Sequence, residues 1–268
     1  MSEDSKLWHR TRPKFMGDLE QRPRVVELLG EVIRGTVLEV GCGTGYLARM
    51  IAQSNSSTKV HGIDKDFDAI EIARDVGTPI GYRRISYHHG NFLDAFTPRQ
   101  GFNAITCVGT MHRISDLRGL FTKLAFFLNN NGRLVVSTPH PYLFSEDSPA
   151  RKRGRNWVKY TPISGSPSRK NNCFRERYYD NRGEFVESRV YAHSQEDVDR
   201  IVQYNNSMSK IFGLGSFLGQ IHSEDLIVKK DHLRHPSWGK QFGYPAYRIM
   251  VFEKKSLEEA KVGGSGNE

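Results

Sequence analysis

The chain has 268 residues, of which 37% are hydrophobic and 26% are charged, and its formal net charge is +9 at pH 7. This length suits one large α/β domain, and the composition is typical of a folded globular protein rather than a disordered one. The longest apolar run, Leu124–Leu128, is far shorter than the roughly 20 residues that a membrane-spanning helix needs.

The N-terminal residues and the cysteines narrow the class further. The chain starts Met-Ser-Glu-Asp-Ser-Lys, which lacks the basic and then apolar pattern of a secretion signal, so we expect a cytoplasmic protein without a membrane partner. Cys42, Cys107 and Cys173 are widely spaced, with no Cys-x-x-Cys pair. This spacing disfavours disulfide frameworks and zinc sites, and we expect no metal.

A glycine-rich turn follows the first predicted strand. Residues 1–23 predict an irregular arm or a short helix, and apolar residues at helical spacing predict a helix over Arg24–Arg34. The next stretch, Val37–Tyr46, reads Val-Leu-Glu-Val-Gly-Cys-Gly-Thr-Gly-Tyr. Its apolar start predicts a buried strand, and its three glycines predict a sharp turn. A helix is predicted to begin at Tyr46. This is the first unit of a doubly wound α/β domain, in which ligands bind at the carboxyl ends of the strands.

Strands and helices then alternate, which predicts a parallel sheet covered on both faces. In chain order we predict a strand Lys59–Ile63 that ends at Asp64, a helix Asp66–Val76, strands Ile85–His88 and Ala104–Val108, a helix capped by Ser115 that extends to Leu128, and, after the helix-stopping Asn129–Gly132, a strand Arg133–Ser137.

The alternation breaks after the fifth strand. The composition of Arg151–Lys170 predicts a loop, and Cys173–Ala192 predicts a hairpin with its turn at 181–183. An antiparallel insertion at this point would form a lid over the ligand cleft. Ser194–Asp197 has the spacing of a capping box before another helix. The last two predicted strands are Gln220–Val228 and Tyr247–Phe252.

The predicted loop Arg151–Lys170 is strongly basic. It holds seven basic and no acidic residues, with Trp157 and Tyr160 between them. Basic residues interleaved with aromatic ones suit an RNA backbone or a phosphorylated substrate. A solvated basic loop without a polyanionic partner explains the same composition, and the sequence leaves both interpretations open.

The glycine turn does not fit a dinucleotide or a nucleoside triphosphate. Tyr46 occupies the third glycine position of the dinucleotide pattern that starts at Gly41. No Gly-Lys-Ser/Thr sequence follows the turn, which excludes a P-loop. Glu39 lies two residues before the first glycine, and a carboxylate there favours a cationic ligand over a phosphate.

These residues resemble motif I of the class I S-adenosylmethionine-dependent methyltransferases, in which an acidic residue precedes Gly-x-Gly-x-Gly. Later landmarks fall in the family's order, although Glu39 replaces the commoner Asp. The resemblance covers residues 36–140 well, residues 190–254 weakly, and the insertion not at all. The matching landmarks are Asp64 after the second strand, Asn91-Phe92 after the third, Phe102–Ile105 at the start of the fourth, Met111-His112 after the fourth, and Asn130–Gly132 before the fifth.

The resemblance implies S-adenosylmethionine as cofactor and S-adenosylhomocysteine as product. It implies that Glu39 and carbonyls near Val108 bind the methionine ammonium, and that Asp64 accepts both ribose hydroxyls. Lys65 and Phe92 are expected to flank the adenine and Asn91 to bind its edge. The full set of expected cofactor residues is Glu39, Gly41, Cys42, Gly43, Tyr46, Asp64, Lys65, Asn91, Phe92 and Val108.

Two histidines are candidates for the chemistry. Methyl transfer needs a base only when the acceptor must lose a proton. His112 follows the fourth strand and titrates near neutrality, so it is the first candidate, and His140 after the fifth strand is the second. Tyr142, Tyr179, Tyr191 and His193 are expected to form either an aromatic pocket or the core of the lid.

The sequence therefore predicts an α/β fold with a doubly wound, seven-stranded, mostly parallel sheet and an antiparallel lid insertion after strand five. We expect a monomeric or homodimeric methyltransferase that acts on oxygen or nitrogen of a small molecule. Methylation of RNA or protein is the alternative, and a non-catalytic cofactor-binding subunit is a third interpretation. The expected parts are an arm and helix (1–35), a cofactor-binding core (36–141), a lid (142–193), the rest of the fold (194–254) and a tail (255–268).

Overall fold

The computed structural model describes residues 20–77, 83–94, 96–147, 158–163, 173–179, 185–211, 216–227 and 245–256. Within these ranges the strands are β1 Thr36–Val40, β2 Lys59–Asp64, β3 Ile85–His89, β4 Phe102–Val108, β5 Leu128–Pro139, β6 Val158–Pro162, β7 Cys173–Tyr179, β8 Phe185–Tyr191, β9 Ser216–Ile227 and β10 Pro245–Ser256. The helices are α1 Arg22–Leu29, α2 Tyr46–Ser54, α3 Phe67–Gly77, α4 Leu117–Phe127 and α5 Gln195–Ile211.

Seven strands form the main sheet, in the order β3-β2-β1-β4-β5-β10-β9. Strands β1 to β5 pair with one another in parallel, whereas β10 is antiparallel to both β5 and β9. The strand order reverses between β1 and β4, which is the point where ligands bind in open α/β sheets. The predicted doubly wound, seven-stranded and mostly parallel sheet is confirmed.

Apolar residues on the two faces of the sheet form two separate cores. Neighbouring residues of β1 divide between them, with Val37 in one cluster and Leu38 in the other. Helices α1 and α2 contribute to the cluster that holds Val37, and helix α4 contributes to the cluster that holds Leu38. A parallel sheet needs this cover because both of its faces are apolar.

The helix α4 and the strand β5 differ in detail from the sequence prediction. Asp116, not Ser115, is the N-cap of α4, and its Oδ1 accepts a hydrogen bond of 2.8 Å from the Gly119 N–H. The segment Asn129–Gly132 ends that helix as expected, but it belongs to β5. Pairing with β4 jumps from Leu128 to Arg133, and Asn131 has a φ of 59°, so an irregularity absorbs the extra residues.

A second sheet follows the fifth strand. Its order is β6-β7-β8 and all its pairs are antiparallel, so the predicted hairpin Cys173–Ala192 is confirmed. The prediction of a loop throughout Arg151–Lys170 is wrong at Val158–Pro162, which pairs with β7. A strand needs apolar residues on only one of its faces to pack at the edge of a hairpin. The basic composition of this segment obscured that alternation in the sequence. The rest of that basic segment and the turn at 181–183 lie outside the described residues.

The C-terminal part of the sheet agrees with prediction. Ser194 Oγ accepts from the Asp197 N–H at 3.1 Å, while Asp197 Oδ2 accepts from the Ser194 N–H at 3.0 Å, so the capping box of α5 is confirmed. The last two strands exist but are longer than expected. No described helix has the length and apolar character needed to cross a membrane. The first described helix already begins at Arg22, inside the predicted arm 1–23, and β10 extends to Ser256, inside the predicted tail 255–268. Residues 1–19 and 257–268 lie outside the described residues.

Candidate active site

The glycine turn after β1 is held against the end of β2. The backbone N–H groups of Gly41 and Cys42 donate to the Ile63 carbonyl at 2.8 and 3.1 Å. The Gly43 N–H donates to Asp64 Oδ2 at 2.7 Å. These bonds fix the turn before any ligand binds, because the acceptors belong to the neighbouring strand and its last residue.

Glycine is required in this turn for two different reasons. Gly41 has a φ of 74° and a Cβ there would overlap the Thr110 side chain, so the turn and the segment after β4 are in close contact. Gly43 (φ 51°) and Gly109 (φ 64°) are also left-handed, but a Cβ at either would meet no described atom within 4 Å. The backbone is therefore bare on the side where a ligand would approach.

The Asp64 carboxylate has a structural role and spare capacity. Its Oδ1 accepts from the Asp66 N–H at 2.9 Å, and its Oδ2 holds Gly43. Each carboxylate oxygen has a second lone pair. Asp64 can therefore orient the turn and accept further hydrogen bonds from a ligand at the same time.

Negative charge surrounds the glycine turn. Glu39 is a buried residue of β1, with 4% of its surface exposed. The pKa of the buried Cys42 thiol lies well above its ordinary value, first because of burial and then because Glu39 and Asp64 disfavour a thiolate. Two carboxylates beside a bare backbone suit a cationic ligand. The hydroxyl of buried Thr44 makes no hydrogen bond with the part of the chain that the structure describes.

Comparison with known proteins places this site in a family. The family described as "Methyltransferase domain" matches residues 7–184, which is well over half of the chain. The chain belongs to that family. Its seven-stranded sheet is the fold of class I S-adenosylmethionine-dependent methyltransferases, so the recognition made from motif I is confirmed.

Individual relatives of this methyltransferase domain match over shorter stretches. A ubiquinone biosynthesis O-methyltransferase from Alkalilimnicola ehrlichii is 30% identical over 129 residues, covering 45% of this chain and 50% of the relative. A demethylmenaquinone methyltransferase from Tropheryma whipplei is 31% identical over 131 residues, covering 48% and 53%. The chain thus spans about half the length of the curated relatives that it matches. An S-adenosylmethionine-dependent methyltransferase from Mesorhizobium loti has a similar structure, with a TM-score of 0.60, 16% identity and coverage of 86% and 96%.

The residues present fit S-adenosylmethionine, the cofactor of this family. The left-handed Gly43 and Gly109 leave room for the cofactor to approach the protein backbone. The carboxylates of Glu39 and Asp64 match the ammonium and the ribose hydroxyls of the cofactor by charge and hydrogen-bonding capacity. The Thr44 hydroxyl is a further donor that a bound cofactor would satisfy. The carbonyl of Val108, at the end of β4, accepts from Thr110 Oγ1 at 3.3 Å and keeps a second lone pair.

The structure places the remaining expected cofactor residues in different surroundings. Lys65 is exposed directly after β2, where its stem is available to a ligand. The Tyr46 ring begins α2 and lies under the Arg22 guanidinium, 5.8 Å from the ring centre. The Asn91 amide makes a local turn, donating to Asp94 Oδ2 at 2.6 Å and accepting from the Leu93 N–H at 3.1 Å.

Phe92 lies in the core. It is 5% exposed, and its ring packs against Phe96 and Phe127, with centroid distances of 6.1 and 6.3 Å. The Lys123 ammonium lies 5.3 Å from its centre. An aromatic residue after a strand serves a core or a pocket with the same sequence pattern, and only the packing separates the two. The packing of Phe92 is that of a core residue, and its contact with adenine stays a prediction.

His112 is the buried histidine of the short 3-10 turn Met111–Arg113 that follows β4. It is 4% exposed, and its Nδ1 has no hydrogen-bond partner among the described residues. Its pKa lies well below the ordinary value, first because burial disfavours the imidazolium and then because of the positive charges of Arg113 and His193. The ring is therefore neutral at pH 7 and can accept a proton or a hydrogen bond.

His140 has a different environment. Its Nδ1 accepts from the Tyr142 N–H at 3.1 Å, and its Nε2 lies 2.8 Å from the Arg248 guanidinium and 3.2 Å from Asp225 Oδ2. Burial lowers the pKa of His140, and Asp225 opposes that change. The Nδ1 contact is with the segment that follows β5, and the Nε2 contacts are with β10 and β9, so His140 joins these elements rather than offering a free nitrogen.

The expected aromatic pocket is only partly described. The Tyr191 and His193 rings are stacked 5.9 Å apart, and His193 Nε2 lies 2.9 Å from the Ile114 carbonyl. The Tyr142 hydroxyl donates to the Asp147 carbonyl at 3.4 Å. The side chain of Tyr179 lies outside the described residues. Tyr191 and His193 therefore border the segment after β4, on the side of the second sheet.

Sequence reasoning missed several residues that shape the site. Thr110 holds the segment after β4 against the glycine turn, and the Tyr87 hydroxyl donates to the Gly45 carbonyl at 3.3 Å. Arg113 and Glu176 form an ion pair of 3.1 Å between the same segment and β7. Only one feature of the sequence indicated this ion pair, namely a charged residue, Glu176, at an inward-facing position of the predicted hairpin.

Proposed function

We propose that this protein transfers the methyl group of S-adenosylmethionine to an oxygen or nitrogen of a small-molecule acceptor. The observation that carries the proposal is the pairing of the bare glycine turn and its carboxylates with a buried neutral histidine after β4. Two curated relatives that match this chain over about half of their own length are a ubiquinone biosynthesis O-methyltransferase and a demethylmenaquinone methyltransferase, which supports a small-molecule acceptor.

The protein's main task in this reaction is alignment. When bound, the cofactor supplies a methyl group on a sulfonium, which is already a good leaving group. Glu39, Asp64 and the glycine turn would hold the cofactor in one orientation, and fixed orientation alone can contribute roughly 7–11 kcal/mol to the rate. We propose that residues 142–193 act as a lid that excludes water, because part of this insertion lies against the segment after β4.

His112 is the preferred candidate for the proton. Its neutral ring can take a proton at a free nitrogen when an acceptor hydroxyl is methylated. The cost of a buried imidazolium is offset because the sulfonium charge disappears in the same step, so the net charge of the site is unchanged. His140 is the second candidate, but both of its nitrogens already bind protein groups.

Methylation of RNA or protein is the alternative function. Its support is the basic composition of Arg151–Lys170, of which the structure describes the strand β6 and Ile163. This strand pairs with β7 in the second sheet, and that position gives it a structural role independent of any polyanion. A small-molecule acceptor is therefore favoured.

A labelled-methyl screen separates these functions. Protein and radiolabelled S-adenosylmethionine are added to a cell extract that is split by nuclease treatment and by a size cut-off. We expect label in small, nuclease-resistant material. Label that stays with large material, or that is lost with nuclease, would establish the alternative. Absence of label in every fraction would support the third interpretation of a non-catalytic subunit.

Cofactor binding has its own test. A ligand that binds only the folded state at about 100 times its Kd adds about 2.7 kcal/mol of stability. We expect S-adenosylhomocysteine to raise the thermal midpoint by several degrees and NADH to leave it unchanged, because Tyr46 blocks the dinucleotide pattern. A shift with NADH and none with either sulfur ligand would refute the cofactor assignment.

A further inference from the structure

One buried carboxylate joins all three strands of the second sheet. Glu176 of β7 is 2% exposed. Its Oε1 accepts from the Tyr160 hydroxyl of β6 at 3.1 Å, and its Oε2 accepts from the Ser188 hydroxyl of β8 at 3.1 Å. The three residues face one another across the sheet, because Tyr160 and Ser188 are the register partners of Glu176.

The same carboxylate reaches out of its sheet to the segment after β4. The Arg113 Nη2 donates to Glu176 Oε2 at 3.1 Å, and its Nη1 donates to Ser188 Oγ at 3.1 Å. Arg113 is the last residue of the 3-10 turn that holds His112. A buried carboxylate needs a compensating charge, and Arg113 supplies it, so the position of the turn is tied to the second sheet.

A second contact supports the same connection. His193, which follows β8, lies with its Nε2 2.9 Å from the carbonyl of Ile114, the residue after Arg113. The turn that carries His112 is thus held by β7 and β8 through Arg113, and by the segment after β8 through Ile114. At its start, Thr110 packs against Gly41. This short segment therefore links the glycine turn, the candidate base and the second sheet.

We propose that Glu176 is a positioning residue, which acts through Arg113 to hold His112 in place for the acceptor. The inference rests on the proposed function, because it assumes a methyl acceptor beside His112. The contacts from Glu176 through Arg113 to the turn of His112 do not depend on that assumption. The glycine turn has its own anchors at Ile63 and Asp64. Loss of the Glu176 charge should therefore disturb His112 while it leaves the cofactor side intact.

The test compares Glu176→Gln with Glu187→Gln. The amide keeps the size of the side chain and removes the charge. Glu187 is the matched control, because it lies on β8 of the same sheet and pairs with Arg175 and Arg177 at the surface, with 45% of its side chain exposed. An exposed pair contributes little, so this control should behave like the wild type.

Three quantities are measured on the full chain. The first is the NMR signal of the His112 imidazole, assigned with His112→Gln, and its titration with pH. The second is the Kd of S-adenosylhomocysteine. The third is turnover of whatever acceptor the labelled-methyl screen yields. For Glu176→Gln we expect a changed His112 signal, a Kd within about twofold of wild type, and turnover at least about tenfold lower, as follows from loss of one charge-assisted bond.

Outcomes that differ from these expectations contradict the inference. An unchanged His112 signal in Glu176→Gln, or an equal change in Glu187→Gln, would overturn it, and so would a cofactor Kd that weakens as much as turnover falls. If Glu176→Gln does not fold, Ser188→Ala removes one hydrogen bond from Glu176 and one from Arg113 and keeps both charges, and a shift of the His112 signal in the same direction is then required. Failure of the proposed function is distinct, since it appears as a wild-type chain that labels no acceptor.

Discussion

Replacement of Asp64 tests the cofactor side of the site most directly. The Asp64 carboxylate accepts from the N–H groups of Gly43 and Asp66 at 2.7 and 2.9 Å. In the complex it is expected to accept from two ribose hydroxyls as well. A hydrogen bond to a charged group contributes about 1.5–3 kcal/mol. Loss of two such bonds at the lower figure corresponds to about 3 kcal/mol, or roughly a hundredfold weaker binding.

Isothermal calorimetry with S-adenosylhomocysteine measures this effect. We expect Asp64→Ala to raise the Kd roughly a hundredfold, and Asp64→Asn, which keeps one acceptor oxygen, to raise it by roughly tenfold. Asp66→Ala is the matched control. The Asp66 carboxylate accepts from the Ala69 N–H at 3.2 Å at the start of α3, so its loss should cost about 1 kcal/mol of stability and little affinity. An Asp64→Ala variant with wild-type affinity would refute the ribose role.

Two further predictions concern the glycines and the histidine. Gly43→Ala should fold, because its Cβ meets open space and the strain at its φ of 51° costs only about 1–2 kcal/mol, yet it should bind the cofactor weakly; Gly41→Ala should lose more stability, since its Cβ overlaps Thr110. Denaturation and calorimetry together separate the two effects, and equal unfolding losses would contradict the packing argument. The lowered pKa of His112 means that the folded state binds fewer protons than the unfolded state below about pH 6.5. Stability should therefore fall as the pH drops through that value, by up to about 1.4 kcal/mol per pH unit. His112→Gln should reduce that loss, and parallel pH curves for the wild type and this variant would count against a buried neutral His112.

The fold was largely predictable because its signals are local. The central strands β1 and β4 are almost wholly buried apolar runs, and the glycines after β1 mark the turn without reference to the rest of the chain. The cap of α4 shows the limit of such reasoning. Ser115 and Asp116 are both good capping residues, and only the backbone geometry selects Asp116.

The contacts that shape the site were less predictable, because they join distant residues. Phe92 has the same sequence context as an adenine-binding aromatic residue, but Lys123 and Phe127 of the distant helix α4 pack against its ring. The pairing of Arg113 with Glu176 spans 63 positions. The sequence of β6 alone does not predict a strand, because its pairing partner β7 lies elsewhere in the chain. No periodicity or motif contains this information.

The place of β10 in the sheet has a consequence for synthesis on the ribosome. Residues 245–256 insert between β5 and β9, so the edge of β5 stays open until this late segment has left the exit tunnel. Leu134, Val135 and Val136 then lie on an unpaired strand, and such edges promote association between nascent chains. The cofactor-binding half can form early, but the chain is protected from aggregation only when its last described strand is in place.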